Sequence, residues 1–182
     1  DHTLDFLDTV QRPFFLNYAP YAVHTPIQAV DSLLRKYKDK SASSGQKNMA
    51  YATMIDNLDR NIGLLIAQLK QQKVFDNTLI VFTSDNGGLF GITEQHPLRA
   101  GKGSYYEGGI RTPFFIVWNS RIQAGSKSEV PMTNLDIFPT FLRVAEIDQE
   151  RFELDGVDLI PVLAHQEDAM IRPLFWHFPI YL

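Results

Sequence analysis

Apolar positions recur at two different rhythms along this chain, and each rhythm predicts an element. From Asn48 to Gln72 the apolar residues Tyr51, Met54, Ile55, Leu58, Ile62, Leu65 and Leu69 return every three or four positions, which predicts one long amphipathic helix. The opening "DHTLDFLDTV" places Leu4, Leu7 and Val10 on one face and reads as the tail of another. Three runs lack polar alternation altogether: "RPFFLNYA" over 12–19, "TLIVFTS" over 78–84 and "PFFIVWN" over 113–119. Such runs predict strands covered on both faces, as in a parallel α/β sheet. Thr133 is placed to cap a helix over "NLDIFPTFLRVAEI", interrupted near Pro139, and "DGVDLIPVL" forms a short packed segment.

Two stretches fall outside these rhythms. Residues 27–46 are polar and poorly periodic, and "KYKDKSASSGQ" within them reads as an exposed excursion. Residues 87–112 hold seven glycines and almost no periodicity. A loop of that length inside a compact domain is usually functional or disordered, which directs attention to its ends.

Composition narrows the function classes. A chain of 182 residues, 45% hydrophobic and 21% charged, can bury a core as one domain. A net charge of −4 argues against a nucleic-acid surface, and no apolar window is long enough to span a bilayer. Cysteine is absent, so no disulfide, thiolate metal site or cysteine nucleophile belongs to these residues. The chain opens in mid-helix and ends in the aromatic stretch "RPLFWHFPIYL" without a closing turn, which reads as a piece of a longer protein.

The candidate chemistry lies where apolar runs give way to loops. Asp85 and Asn86 end the 78–84 run, and ligands of open parallel sheets bind beyond the carboxyl ends of strands. Their hard oxygen donors suit Ca²⁺ or Mg²⁺, although Asp-Asn-Gly is equally good turn chemistry, and two oxygens are far short of a calcium shell. His24, in a loop stiffened by Pro20 and Pro26, could bind an anion or pass a proton; a surface or packing role explains a lone histidine as well. Lys102 in "RAGKGS" lies where glycines let an ammonium approach a negative group. It is no P-loop lysine, because Gly103 intervenes before Ser104. Glu107 and Arg111 are spaced to pair with each other, and His96 and His177 suit core or surface roles.

Taken in order, "PFFLNYAPYAVHTP", "TLIVFTSDNGG", "GKGSYYEGGIRTPFFIVW" and "LDGVDLIPVL" closely resemble the second half of the catalytic domain of the type I sulfatases, members of the alkaline-phosphatase superfamily. The resemblance covers nearly the whole chain. It implies a three-layer α/β sandwich with a mostly parallel central sheet, of which residues 1–165 would be the carboxy-terminal part and residues 166–182 the start of a small following subdomain. It implies Asp85 and Asn86 as calcium ligands, and His24 and Lys102 as the contacts to the sulfate and the leaving oxygen. It also implies a formylglycine made within a Cys/Ser-x-Pro-x-Arg motif and two further aspartates on the metal, none of which occur here, so they would lie in an amino-terminal half.

The implied activity is hydrolysis of a sulfate monoester, of a glycan or an aryl alcohol, by a protein that is periplasmic or secreted. A phosphonate or phosphate ester hydrolase of the same superfamily is the nearest alternative, and a non-catalytic anion-binding module is one from another class. On this reading the chain by itself is inactive and holds calcium weakly. Its uncovered apolar faces would drive self-association.

Overall fold

A computed structural model describes residues 2–43, 45–164 and 172–177, arranged as two compact units. The first comprises Asp1–Asp76 with Asn86–Pro113, and the second Asn77–Asp85 with Phe114–Pro179.

The first unit is built on helices. The opening pattern forms α1 (His2–Thr9), which buries Leu7. A second helix, α2 (Asp31–Tyr37), forms within the polar stretch 27–46, where the weak periodicity predicts none, and it ends just inside the excursion. The long periodic segment forms α3 (Met49–Gln71), started by Asn48, whose side chain accepts the Tyr51 amide at 3.0 Å. Both shorter helices pack on α3. On the α1 side Gln72 donates to the Leu7 carbonyl at 2.7 Å and Arg12 donates to Gln72 at 3.0 Å. Leu33 of α2 and Met54 and Leu69 of α3 are buried. Residues 12–19 are irregular rather than the predicted strand: Phe14 packs edge-on against Phe6, while Phe15 is 69% exposed. An apolar run makes a strand only where a partner strand meets it, and among the described residues none does.

What holds α2 to α3 is polar. Asp56, in the middle of α3 with its side chain 5% exposed, accepts from Lys36 at 2.6 Å, Tyr37 at 2.9 Å and Arg60 at 2.8 Å. Beside it Thr53, fully buried, accepts the Val30 amide at 2.9 Å and donates to Ala50 at 2.7 Å. The Lys36 ammonium, then Arg60 and Tyr37, hold the Asp56 carboxyl well below the usual carboxylate range. The same bonds keep Lys36 and Tyr37 protonated to higher pH.

The long loop ends in a single helical turn, α4 (Glu107–Ile110), where Glu107 and Arg111 do pair, at 3.5 Å.

The second unit carries the only sheet among the described residues. β1 (Ile80–Thr83) pairs with β2 (Phe114–Val117) in antiparallel register, Ile80 opposite Val117 and Thr83 opposite Phe114. Both apolar runs are strands, as predicted, but the ribbon is antiparallel and its outer face is open, with Phe115 62% exposed. Phe82 and Phe115 lie opposite each other with ring centroids 5.9 Å apart.

Further on, a 3₁₀ turn over Asn134–Asp136 runs straight into α5 (Ile137–Val144). Pro139 does not interrupt it. It is the third residue of α5, where no intrahelical acceptor awaits its missing amide. α6 (Ile160–Leu163) follows. Asp136, fully buried, accepts the Thr133 amide at 2.7 Å, the Val157 amide at 3.0 Å and the Arg172 guanidinium. Thr140 donates to the Asp136 carbonyl at 2.6 Å and accepts the Leu159 amide at 3.0 Å. The predicted boundary at 165/166 lies outside the described residues. Among those residues no helix is long and apolar enough to cross a membrane.

Two stability tests follow from these knots. A carboxylate whose native pKa is lowered contributes stability that is complete above its unfolded value, near pH ~4, and is lost as pH falls toward the native value. Asp56→Asn should therefore lower the melting temperature at pH 7, with the gap to the parent chain closing as pH drops below about 4; a constant gap down to pH 2 would contradict it. Thr140→Val keeps the volume but strands the Leu159 amide in the interior, for an expected loss of about 1–3 kcal/mol, read as a lower urea midpoint at unchanged slope.

Candidate active site

The glycine-rich loop, 86–113, is stitched by main-chain bonds. The Gly87 amide donates to the Gly109 carbonyl at 2.8 Å, the Gly108 amide to Arg99 at 2.9 Å and the Lys102 amide to Gly88 at 2.9 Å. The two glycines around Lys102 have different tasks. Gly101 is buried, and a Cβ there would lie 2.6 Å from the Gly88 carbonyl oxygen, so a side chain would push Lys102 off its acceptor. Gly103 has φ +86°, the left-handed conformation that glycine adopts without strain and that turns the chain back after the lysine. Arg99 stacks over Tyr106 with its guanidinium carbon 3.7 Å from the ring centre, bracing the loop across the lysine.

This stitching brings Lys102 to His24, 78 residues earlier: Nζ lies 3.2 Å from Nε2. On the other side of the ring, Nδ1 is 2.9 Å from the Thr25 carbonyl oxygen. A carbonyl can only accept, so Nδ1 carries the hydrogen and Nε2 offers its lone pair to the Lys102 ammonium. Both side chains are exposed, so the pair is open to a solute. It places two nitrogen donors, once the ring is protonated, within reach of a single oxyanion.

Asp85 and Asn86 follow β1 after Ser84, the aspartate exposed and the asparagine half-buried. Asn86 begins the stitched loop, two residues before the Gly88 carbonyl that receives Lys102. A carboxylate and a carboxamide fit a hard divalent cation and not a thiophilic one. Among the described residues no three histidine, aspartate or glutamate side chains gather into a metal site. His96 and His177 are exposed. Tyr21 and Thr25 carry no sequence signal beyond their position in the same proline-flanked turn as His24.

The sulfatase family model matches residues 1–147. A sulfatase of Formosa agariphila is 33% identical over 187 residues, covering 93% of this chain and 34% of the relative. Human N-acetylgalactosamine-6-sulfatase is 32% identical over 182 residues, covering 96% and 33%. This chain therefore spans about a third of the length of the curated relatives it matches. Among solved structures, a sulfatase described with the metabolism of multiple glycosaminoglycans by Bacteroides thetaiotaomicron superposes with a TM-score of 0.71 at 24% identity, over 91% of this chain and 36% of that one. That likeness is of fold, and it assigns an alkaline-phosphatase-like α/β architecture. With the family model matching residues 1–147, most of its length, this chain belongs to the sulfatase family.

Proposed function

We propose that this chain is the carboxy-terminal part of the catalytic domain of a sulfuric ester hydrolase and supplies its leaving-group side. The observation that carries the reading is the 3.2 Å contact between Lys102 and a His24 ring whose tautomer is fixed by Thr25. Breaking the S–O bond of a sulfate monoester leaves an alkoxide that needs a proton and a sulfuryl group that needs its charge balanced. An imidazole is the side chain suited to hand over the first near neutral pH, and a lysine ammonium to supply the second. His24 would protonate the departing oxygen from Nε2, and Lys102 would hold the sulfate oxygens beside it.

Asp85 and Asn86 would hold Ca²⁺ or Mg²⁺ together with ligands from outside this chain. When bound, such an ion neutralises the sulfate oxygens. The formylglycine nucleophile would also lie outside it, so this chain by itself would be inactive and would bind calcium weakly. The substrate class favoured is a sulfated glycan over an aryl sulfate, which the name of the human relative supports together with the stretches "PLRAGKG" and "LFWHFP". In the whole domain the β1–β2 ribbon would join a mostly parallel, three-layer sheet, with a small subdomain from residue 166 on. The protein would work in the periplasm or after secretion.

Kinetics of the whole protein on matched sulfate and phosphate esters test the activity. Sulfate should be the better substrate, and His24→Ala should cost roughly 10²–10⁴ in kcat, with Lys102→Ala falling in the same direction. Faster turnover of phosphate would move the assignment to the phosphate esterases, and full activity of His24→Ala would end the reading. A second measurement concerns this chain alone, whose Phe15, Phe90 and Phe115 are 69%, 78% and 62% exposed. Light scattering across a wide concentration range should find a dimer or larger species, and a monomer throughout would contradict it.

A further inference from the structure

Tyr21 contacts His24 in three ways. Its backbone carbonyl accepts the His24 amide at 3.0 Å, closing the turn. Its ring meets the imidazole edge to face, with centroids 5.5 Å apart and planes at 64°. Its hydroxyl donates to the Thr25 carbonyl at 2.6 Å, the same oxygen that accepts from His24 Nδ1 at 2.9 Å. The Thr25 oxygen has two lone pairs, and the two donors occupy both.

A tyrosine that is 70% exposed adds little to stability through burial. What its three contacts share is one neighbour. The backbone bond fixes where the imidazole ring starts, the aromatic face limits its rotation, and the hydroxyl pins the peptide plane whose carbonyl selects the Nδ1–H tautomer. Lys102 then meets the one free direction of the ring, at Nε2. No other side chain of the turn reaches the Thr25 oxygen except His24 itself.

We infer that Tyr21 is a positioning residue for His24, holding the imidazole in the Nδ1–H tautomer with Nε2 aimed at the anion site. This rests on the reading of His24 as proton donor. The proton at stake is the one on Nε2 of the imidazolium: it passes to the alcohol oxygen as the S–O electron pair departs with that oxygen, the sulfur bonds instead to the nucleophile supplied from outside this chain, and the ring returns to the neutral Nδ1–H form. A ring free to flip or to exchange tautomers would present its lone pair, or the wrong nitrogen, for part of the time. Small misplacements of a reacting group are costly in rate.

The test has two readouts that can fail separately. Nitrogen-15 resonances of the His24 ring, recorded on this chain at a pH where the ring is neutral, should show a protonated Nδ1 and a bare Nε2. In Tyr21→Ala the two resonances should move toward each other as the tautomers mix, and Tyr21→Phe, which keeps the ring and loses only the hydroxyl, should lie between. Unmoved resonances in Tyr21→Ala overturn the proposal whatever the rates do. In the whole protein, Tyr21→Phe should lower kcat on a sulfate ester by about tenfold with KM little changed. Resonances that move while kcat stays at the parent value would leave the positioning in place and overturn the role of His24 as proton donor instead.

Discussion

The amide of Lys102 rests on the carbonyl of Gly88, and that single main-chain bond decides where the only lysine of the loop can reach. It requires the backbone at Gly101 to approach Gly88 more closely than any Cβ would allow. The neighbouring bonds, Gly87 to Gly109 and Gly108 to Arg99, fold the rest of the loop back on itself in the same manner. A segment with few apolar residues has little hydrophobic driving force to hold a shape. Here its shape comes from paired amides and carbonyls, which must find partners in any case once they leave water. The ammonium is thereby delivered to the imidazole, and Gly87 is joined to the same fabric.

This division between support and presentation affects how the loop can vary. The bonds that shape it run between backbone atoms, so most of its side chains are not part of the frame. Leu89, Phe90, Tyr105 and Tyr106 are exposed along it. They offer surface that can change in size and polarity while Lys102 stays where it is. The exceptions are the glycines themselves and Arg99, which is committed to Tyr106.

Legibility in the sequence followed physical range. α3 was plain because its pattern repeats over 23 residues and starts at a capping asparagine. β1 and β2 were plain as apolar runs, but their antiparallel pairing depends on a loop that returns, and nothing local encodes that return. The run 12–19 carries the same signal but meets no partner strand among the described residues, and is irregular. α2 was hidden because it is short, buries only Leu33 and is fastened through Lys36 and Tyr37 to Asp56, a polar attachment to which hydrophobic periodicity is blind. Pro139 was read as an interruption because its position relative to the first turn was unknown until the start of α5 was fixed at Ile137. In the site, His24 and Lys102 are 78 residues apart and no spacing rule joins them; four ordered motifs and a family resemblance did so. Tyr21 and Thr25 were invisible because their part is played by a hydroxyl and a backbone carbonyl, which no residue pattern marks.

The bond between Asp136 and Arg172 bears on where this chain can be cut in the laboratory. Asp136 has no exposed surface, and two of its partners are backbone amides that neutralise nothing. Among the described residues the one cation that meets it arrives from 36 positions downstream, across the stretch 165–171. Shortened versions that stop within that stretch would keep every helix and strand described above and still lose the guanidinium, leaving a carboxylate enclosed without its counter-ion, a situation that costs far more than the loss of an ordinary surface contact. A workable expression boundary on this side therefore lies beyond Arg172, even though the last regular element ends at Leu163.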